Sequence, residues 1–282
     1  MERKIAVVTH PQRGADDASV HTVIELLRRS RLDVDVDPDR DSVRDCELIL
    51  VIGGDGTILK AAELGRPAGI PILGINYGHV GFLSEADPEQ ADEVVAHIAN
   101  REWQVDPRMT IDLAVKHPNG MVERNWALNE AAMERDPASR TFEASIGVDG
   151  RELSSFKVDT VLFATATGST AYSFSGGGPV VWPDVEAMVL TPVAAHALFT
   201  RPLVVGPAST LELRVAGGHA RVRCDGRRDM VAPLGSTITA VKGERPVLLA
   251  RLNDVPFSGR LVSKFRLPVN GWRESLGQEQ SR

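Results

Sequence analysis

Few folds accept the stretch Leu48–Ile52, in which five apolar residues in a row end abruptly at the glycine pair Gly53-Gly54. A strand that is apolar at every position is buried on both faces, as in a parallel sheet covered by helices. The residues that follow, Ile58 to Leu64, have helical spacing. The stretch therefore predicts a buried strand, a glycine turn and a helix within an α/β domain.

The same order of strand and helix runs through the first third of the chain. Strands that alternate with helices are typical of parallel βαβ units, so we predict a Rossmann-like parallel sheet covered on both sides. The other predicted elements are a strand at Ile5–Val8, a helix through Val20, Val23, Ile24 and Leu27 with Asp17 or Ser19 as N-cap, strands at Val34–Val36 and Ile70–Ile75, and a helix at Pro88–Ala99.

From about Met109 the pattern changes to short alternating strands separated by turn residues. This pattern predicts a mainly antiparallel β domain. The turn sequences are Pro118-Asn119-Gly120, Asp149-Gly150, Gly217-Gly218 and Asp225-Gly226. The alternating residues Leu211, Leu213 and Val215 and their counterparts Ala220, Val222 and Cys224 are interpreted as the two arms of one hairpin.

The change of pattern predicts two domains, as does a length of 282 residues. We expect an α/β nucleotide-binding domain over residues 1–105 and a β-rich domain over 106–257. The tail, about 258–282, is expected to pack back on the first domain, with fraying after Glu274.

Composition excludes several classes of protein. The chain carries 32 basic and 38 acidic residues, a net charge of −6, and only 5% aromatic residues, so we expect neither a nucleic-acid binder nor a membrane-surface protein. Its two cysteines, Cys46 and Cys224, have no metal-ligand spacing and are interpreted as buried. The apolar run after Lys4 is too short for a signal peptide, so a cytoplasmic location is expected.

The loop Gly53–Thr57 is the first candidate for chemistry. Glycines between a strand and a helix let an anionic ligand approach the main chain. The loop has neither the lysine of a Walker A motif nor the third glycine of a dinucleotide fingerprint, because Leu59 stands there. Asp55 is either a helix cap or a base that accepts the proton of a hydroxyl and helps to hold Mg²⁺.

The second candidate is a long run of small hydroxyl residues and glycines from Thr165 to Gly178, after the apolar strand Val158 to Phe163. Such residues offer hydrogen bonds to phosphate and ribose oxygens, and Tyr172 offers a flat face to a base. The alternative is an ordinary connecting loop, although the length of the run argues against it.

Taken together, these segments resemble the NAD kinases. The matching segments are Gly53–Thr57, Asn76–Leu83, Asn129-Glu130, Thr167–Gly178, Pro179–Pro183 and Lys264–Pro268. The resemblance implies transfer of the terminal phosphate of ATP, or of polyphosphate, to the 2′-hydroxyl of the adenosine ribose of NAD, giving NADP. It also implies Mg²⁺ as a cofactor and a homodimer or homotetramer.

The resemblance also implies roles for individual residues. Asp55 would be the general base, Asn129 and Glu130 would hold the adenosine ribose, and Asp159 would bind the nicotinamide end. The other residues implied in NAD or ATP binding are Gly56, Lys60, Phe82, Arg140, Lys157, Thr167, Thr170, Ala171, Tyr172, Ser173, Phe174, Ser175 and Ala194. Among them, Lys60, Arg140 and Lys157 would contact phosphates and Phe82 would form a pocket wall.

Two positions depart from the family pattern. Ala166 replaces a usual proline, which should loosen the loop, and Thr160 replaces a usual glycine, so the backbone after Asp159 is expected to differ.

Two other functions are compatible with parts of the pattern. A lipid kinase of the same superfamily would need a hydrophobic or basic membrane-facing patch, and the acidic net charge disfavours it. A non-catalytic NADP sensor would lack the base, and Asp55 is present.

Overall fold

The computed structural model describes residues 3–10, 17–76, 81–198, 200–252 and 256–268. The chain forms two compact units. The first contains the described residues up to Pro107 together with those from Leu248 onward, and the second is Arg108–Val247.

The first unit is built on a six-stranded sheet with the order β2-β1-β3-β4-β18-β5. Strands β1, β2, β3, β4 and β18 pair in parallel, which confirms the predicted parallel α/β sheet. The chain turns to opposite sides of β1 to form β2 and β3, so the sheet has its switch point between β1 and β3, where ligands gather in such folds. The strands are β1 (Lys4–Thr9), β2 (Asp33–Val36), β3 (Leu48–Ile52), β4 (Ile72–Ile75), β5 (Gln104–Arg108) and β18 (Val247–Arg251).

Helices cover both faces of this sheet. Helices α1 (Ala18–Arg29) and α3 (Ala91–Asn100) share one core with the alternate strand residues Ile5, Leu50 and Leu73. Helix α2 (Asp55–Ala68) packs on the other face, where Gly65 and Ile58 lie against the strands. The predicted cap of α1 is confirmed, because Asp17 accepts a hydrogen bond of 2.9 Å from the backbone N–H of Ser19.

The end of the chain returns to the first unit earlier than the sequence suggested. Strand β18 lies between β4 and β5, so residues 248–252 belong to this unit and not to the β-rich one. Helix α5 (Phe257–Phe265) follows, and the rings of Phe257 and Phe265 lie 5.9 and 5.8 Å from that of Phe82. The predicted fraying after Glu274 concerns residues outside the described ranges.

The second unit consists of two antiparallel sheets, as the alternating pattern predicted. Residues from both sheets, such as Ile146 of one and Phe163 of the other, form one shared core. One sheet has the order β10-β9-β14-β17-β6-β7 and the other β13-β12-β11-β8-β15-β16. The strands are β6 (Ile111–Lys116), β7 (Val122–Ala127), β8 (Glu130–Arg135), β9 (Glu143–Val148), β10 (Arg151–Lys157), β11 (Thr160–Thr165), β12 (Met188–Val193), β13 (Leu203–Val205), β14 (Leu211–Gly217), β15 (Ala220–Cys224), β16 (Arg228–Ala232) and β17 (Thr237–Lys242). A short helix, α4 (Tyr172–Ser175), follows β11.

Three of the four predicted turns join paired strands, and one does not. Asn119-Gly120 lies between β6 and β7, Asp149-Gly150 between β9 and β10, and Asp225-Gly226 between β15 and β16. The predicted hairpin of β14 with β15 is wrong, because β14 pairs with β9 and β17 in one sheet and β15 with β8 and β16 in the other. Gly217-Gly218 carries the chain between sheets, and a Cβ on Gly218 would overlap the carbonyl oxygen of Thr141.

Both cysteines are buried, as predicted. Burial raises the pKa of the Cys46 thiol to about 11 and that of Cys224 to about 12. None of the helices in the described part of the chain is long and apolar enough to cross a membrane.

Candidate active site

Asp55 opens helix α2 at the carboxyl end of β3. The N-cap is Gly54, which makes no side-chain cap bond, and Asp55 is the first helical residue. Gly53 is required by a close contact, since a Cβ there would overlap the side chain of Thr57. The interpretation of Asp55 as the cap is therefore wrong, and its partly buried carboxylate has another partner.

That partner is the segment Gly81–Leu83. The backbone N–H of Phe82 donates to Oδ2 of Asp55 at 3.0 Å, and that of Leu83 donates to Oδ1 at 3.2 Å. A Cβ on Gly81 would overlap the Asp55 carboxylate, so only glycine permits this approach. Each carboxylate oxygen keeps one more acceptor site, and the group is thus oriented and still able to accept a proton.

The other three predicted residues of the first unit have different surroundings. Gly56 is exposed in the first turn of α2, with open space where a Cβ would stand. The ammonium of Lys60 lies 3.7 Å from a carboxylate oxygen of Asp37. The ring of Phe82 is buried against α5, so its backbone N–H is the group that reaches Asp55.

In the second unit, Glu130 begins strand β8 and Asn129 directly precedes it, and the backbone here is held from two sides. The carboxylate of Asp225 accepts hydrogen bonds from the N–H groups of Leu128, at 3.0 Å, and Asn129, at 2.7 Å. On the other side, the N–H of Thr165 donates to the carbonyl oxygen of Asn129 at 2.9 Å. The backbone of this pair is therefore fixed, and the side chain of Asn129 remains partly exposed.

The carboxyl group of Glu130 is buried, and the residue is 8% exposed. Among the described residues, no cation lowers its pKa and Oε2 has no hydrogen-bond partner. The pKa of Glu130 is raised to about 8, mainly by burial and in addition by the nearby Asp225 carboxylate, while a hydrogen bond from the N–H of Tyr172 acts in the opposite direction. Glu130 consequently carries a proton at neutral pH and offers a donor as well as an acceptor.

The glycine- and hydroxyl-rich run lies against Asn129 and then passes back over the sheet. A Cβ on Gly168 would overlap the backbone of Asn129, which explains a glycine at this point. Ser169 closes the loop through its hydroxyl, which exchanges hydrogen bonds with the N–H and carbonyl of Val181 at 2.9 and 3.2 Å. Ser173 is fully buried and bonded to the hydroxyl of Thr191 at 3.0 Å, so it anchors the run.

The remaining predicted residues of this run differ in their exposure to solvent. Thr167 is buried and its carbonyl faces the hydroxyl of Thr170. Thr170 and Ala171 are partly exposed, and Tyr172, Phe174 and Ser175 are exposed. The run therefore exposes hydroxyl and aromatic groups, while its buried residues hold it against the sheet.

Asp159 and Ala194 lie at the opposite end of strands β11 and β12 from Asn129. Thr160 pairs with Val193 at that end, whereas Thr165 bonds to Asn129 at the other. The five residue steps of β11 span about 17 Å. Asp159 is exposed and 3.7 Å from Arg135, and Ala194 has a φ of 54°, which is strained for a residue with a Cβ.

Lys157 and Arg140 are both exposed residues of the second unit. Lys157 ends β10, and its carbonyl oxygen accepts a hydrogen bond of 2.9 Å from the N–H of His196. Arg140 lies in the connection between β8 and β9. Neither residue is buried, so both side chains are accessible to an anionic ligand.

Sequence reasoning missed Asp225, which was recognised only as a turn residue. It has a φ of 54° and Gly226 a φ of 67°, as the turn requires, but its carboxylate points inward and is 2.5 Å from Arg228. The guanidinium of Arg228 in turn stacks on Trp126, 4.1 Å from the ring centroid. No local sequence pattern predicts a contact between Asp225 and Asn129, because the two residues are far apart in the chain.

Among the described residues, no three or more His, Cys, Asp or Glu side chains are grouped as a metal site. A divalent cation could still bind through one carboxylate and the phosphates of a nucleotide, which is how Mg²⁺ is usually held. The partly buried Asp55 carboxylate fits that arrangement.

Comparison with known proteins identifies relatives for both units. A family model described as the ATP-NAD kinase N-terminal domain matches residues 5–103, and one described as the ATP-NAD kinase C-terminal domain matches 128–252. The NAD kinase of Mycobacterium leprae is 46% identical over 95% of this chain and 88% of its own. The crystal structure of an NAD kinase from Archaeoglobus fulgidus in complex with ATP has a TM-score of 0.76 and 31% identity, covering 93% of this chain and 98% of that one. A yeast NADH kinase complexed with NADH has the same fold, with a TM-score of 0.86 at 19% identity over 96% of this chain and 89% of that one.

Proposed function

This chain belongs to the NAD kinase family, and we propose that it transfers the terminal phosphate of ATP to the 2′-hydroxyl of the adenosine ribose of NAD. The observation that carries the proposal is Asp55, which stands in the glycine loop after β3 with both oxygens oriented by backbone N–H groups. The match of both family models and the relatives named above supports the same activity.

Asp55 acts as the general base in this proposal. Its carboxylate accepts the proton of the 2′-hydroxyl as that oxygen attacks the terminal phosphorus, and the bond from phosphorus to the leaving ADP oxygen breaks. The exposed Gly56 next to it leaves the helix terminus open to the nucleotide. Phosphoryl transfer of this kind depends mainly on positioning and on neutralising charge.

The second unit holds the dinucleotide in this proposal. Asn129 and Glu130 bind the adenosine ribose, and the run from Thr167 to Ser175 surrounds the adenosine side. Ala194, which lies at the same end of the strands as Asp159, is a further contact at that end. Asp159 binds the nicotinamide end. Its separation from Asn129 by the length of β11 supports an elongated ligand with two nucleoside halves. Lys60, Arg140, Lys157 and Phe82 are proposed as further contacts to phosphates and the pocket wall.

Mg²⁺ is the proposed cofactor. The phosphate oxygens of ATP would hold most of its coordination sphere, and Asp55 is the residue placed to add a ligand. When bound, the ion supplies neutralising charge to the transferring phosphoryl group. We also propose a homodimer or homotetramer and a cytoplasmic location, the latter supported by two free, buried thiols.

The activity is tested by incubating the purified protein with NAD, ATP and Mg²⁺ and measuring NADP with an NADP-specific dehydrogenase. We expect NADP to form at a rate proportional to enzyme and to stop when Mg²⁺ is chelated. Replacing ATP by polyphosphate in a parallel assay decides between the two donors. Binding of NADP without any product would contradict a kinase and favour a sensor.

A further inference from the structure

The segment that orients Asp55 is itself held by residues of β18 and α5. Phe82 and Leu83 donate their N–H groups to Asp55, as described above. The next residues, Ser84 and Glu85, face two arginines that come from β18 and α5. We define these three side chains, Glu85, Arg251 and Arg260, as the clamp.

The clamp contacts consecutive residues of the segment. Nη1 of Arg251 donates to the carbonyl oxygen of Leu83 at 3.3 Å, and Nη1 of Arg260 donates to that of Ser84. Both guanidinium groups also donate to Oε1 of Glu85, Arg260 at 2.5 Å. Leu83, one of the two residues whose N–H groups bind Asp55, is thus held at its carbonyl by Arg251.

The clamp side chains are largely buried, and Glu85 and Arg251 make further hydrogen bonds outside the clamp. The side chain of Glu85 is only 1% exposed, and those of Arg251 and Arg260 are 12% and 13% exposed. The backbone N–H of Leu252 donates to Oε2 of Glu85 at 3.3 Å, and Asp106 accepts from Nε of Arg251 at 3.0 Å. Buried charges in a network of this kind fix geometry, because removing one leaves the others without a partner.

We infer that Glu85, Arg251 and Arg260 are positioning residues for the phosphoryl-transfer step, holding the Phe82 and Leu83 amides that aim the Asp55 carboxylate. The inference rests on the proposed role of Asp55. The clamp touches neither substrate in this account and acts only through the segment 82–85. A shift of the carboxylate by about 1 Å is enough to slow a reaction by roughly 100-fold.

The test compares two carboxylates of the first unit that each lie between two arginines. Glu85 is one, and the other is Glu47, which pairs with Arg3 and Arg101. Arg3 also donates to the carbonyl oxygens of Ile98 and Ala99, so its network fixes the end of α3 and does not contact the Asp55 segment. Glu47→Gln is therefore the matched control for Glu85→Gln.

Steady-state kinetics with NAD and ATP are measured for both variants and the wild type at a temperature where each is folded by circular dichroism. For Glu85→Gln we expect kcat to fall by roughly 10- to 100-fold, with KM for NAD and ATP changed by less than about threefold. For Glu47→Gln we expect kcat within about twofold of wild type. A folded Glu85→Gln enzyme with wild-type kcat, or an equal loss in Glu47→Gln, would overturn the inference.

If Glu85→Gln does not fold, Arg260→Ala replaces it, with Arg101→Ala as its control. The expected results are the same: a fall in kcat with little change in KM for Arg260→Ala, and a kcat close to wild type for Arg101→Ala. The wild type separates failure of the inference from failure of the proposed function. No NADP from the wild type refutes the kinase, whereas an active wild type with an equally active clamp variant refutes only the clamp.

Discussion

At the scale of single residues, the second unit contains two buried carboxyl groups whose environments differ. Asp225 has backbone N–H groups and Arg228 as partners, whereas Glu130 has one N–H group, and its Oε2 has no partner in the described part of the chain. Burial raises the pKa of both, to about 8 for Glu130. The protonated Glu130 should therefore affect how stability depends on pH.

Glu130→Gln should remove part of the loss of stability at alkaline pH. The folded-state pKa of Glu130 lies above its usual 4.5, so its contribution is fully present below about pH 4.5 and is lost as pH rises through about 8. Glutamine cannot ionise, and each unit of pKa corresponds to about 1.4 kcal/mol. In urea unfolding between about pH 5 and pH 9, the free energy of unfolding of the variant should rise relative to that of wild type by up to a few kcal/mol.

The control for this experiment is Glu134→Gln, a partly exposed glutamate on the same strand. It should follow the wild-type pH curve. A constant difference between Glu130→Gln and wild type at every pH would show that Glu130 is already ionised in the folded protein.

At the scale of elements, a turn sets the position of a strand in the other half of the sequence. The hairpin of β15 and β16 brings the Asp225 carboxylate to the start of β8, where it holds the backbone of Leu128 and Asn129. The hairpin of β9 and β10 has an Asp-Gly turn as well, but Asp149 bonds to Thr210 and Ser209 near the surface. The two hairpins provide a matched comparison.

Asp225→Asn should destabilise the protein by about 2–4 kcal/mol, because a buried guanidinium and two N–H groups lose a charged acceptor. KM for NAD should also rise, because Asn129 loses its support. Asp149→Asn should cost less than about 1 kcal/mol and leave KM unchanged. Thermal unfolding and initial rates measure both effects, and equal losses in the two variants would contradict the role assigned to Asp225.

Local patterns in the sequence predicted most elements and missed how some of them pair. The run Leu48–Ile52 and the cap at Asp17 depend on neighbouring residues, and both were predicted. The alternation in 211–215 and 220–224 was also correct, since these residues face one core. Alternation gives the buried face of a strand but not its neighbour, and two strands on opposite sides of a core carry the same pattern as a hairpin. The incorrect hairpin follows from that ambiguity.

At the scale of the whole molecule, one unit is continuous in sequence and the other is not. The second unit is Arg108–Val247, with its own core. The first unit needs β18, which lies inside its sheet between β4 and β5. The clamp residues Arg251 and Arg260 lie on β18 and α5, which follow the second unit in the chain. Contacts between residues so far apart in the sequence leave no local pattern, so the sequence did not identify either arginine.

We predict that residues 108–247, expressed alone, fold cooperatively, whereas residues 1–107 alone do not. The first fragment keeps every strand of its two sheets, whereas the second loses the internal strand β18 and helix α5. Dispersed amide signals in NMR and a cooperative thermal transition identify a folded fragment. A cooperative transition for residues 1–107 at the temperature of the full chain would contradict this division.

The proposal as a whole depends on the Asp55 carboxylate accepting the proton of the ribose hydroxyl. The most direct measurement is kcat for Asp55→Asn together with the Kd for NAD by calorimetry, since asparagine keeps the size of the side chain but cannot act as a base. We predict a fall in kcat of about 10²- to 10⁴-fold with little change in Kd. A variant that binds NAD and turns over at close to the wild-type rate would contradict the account.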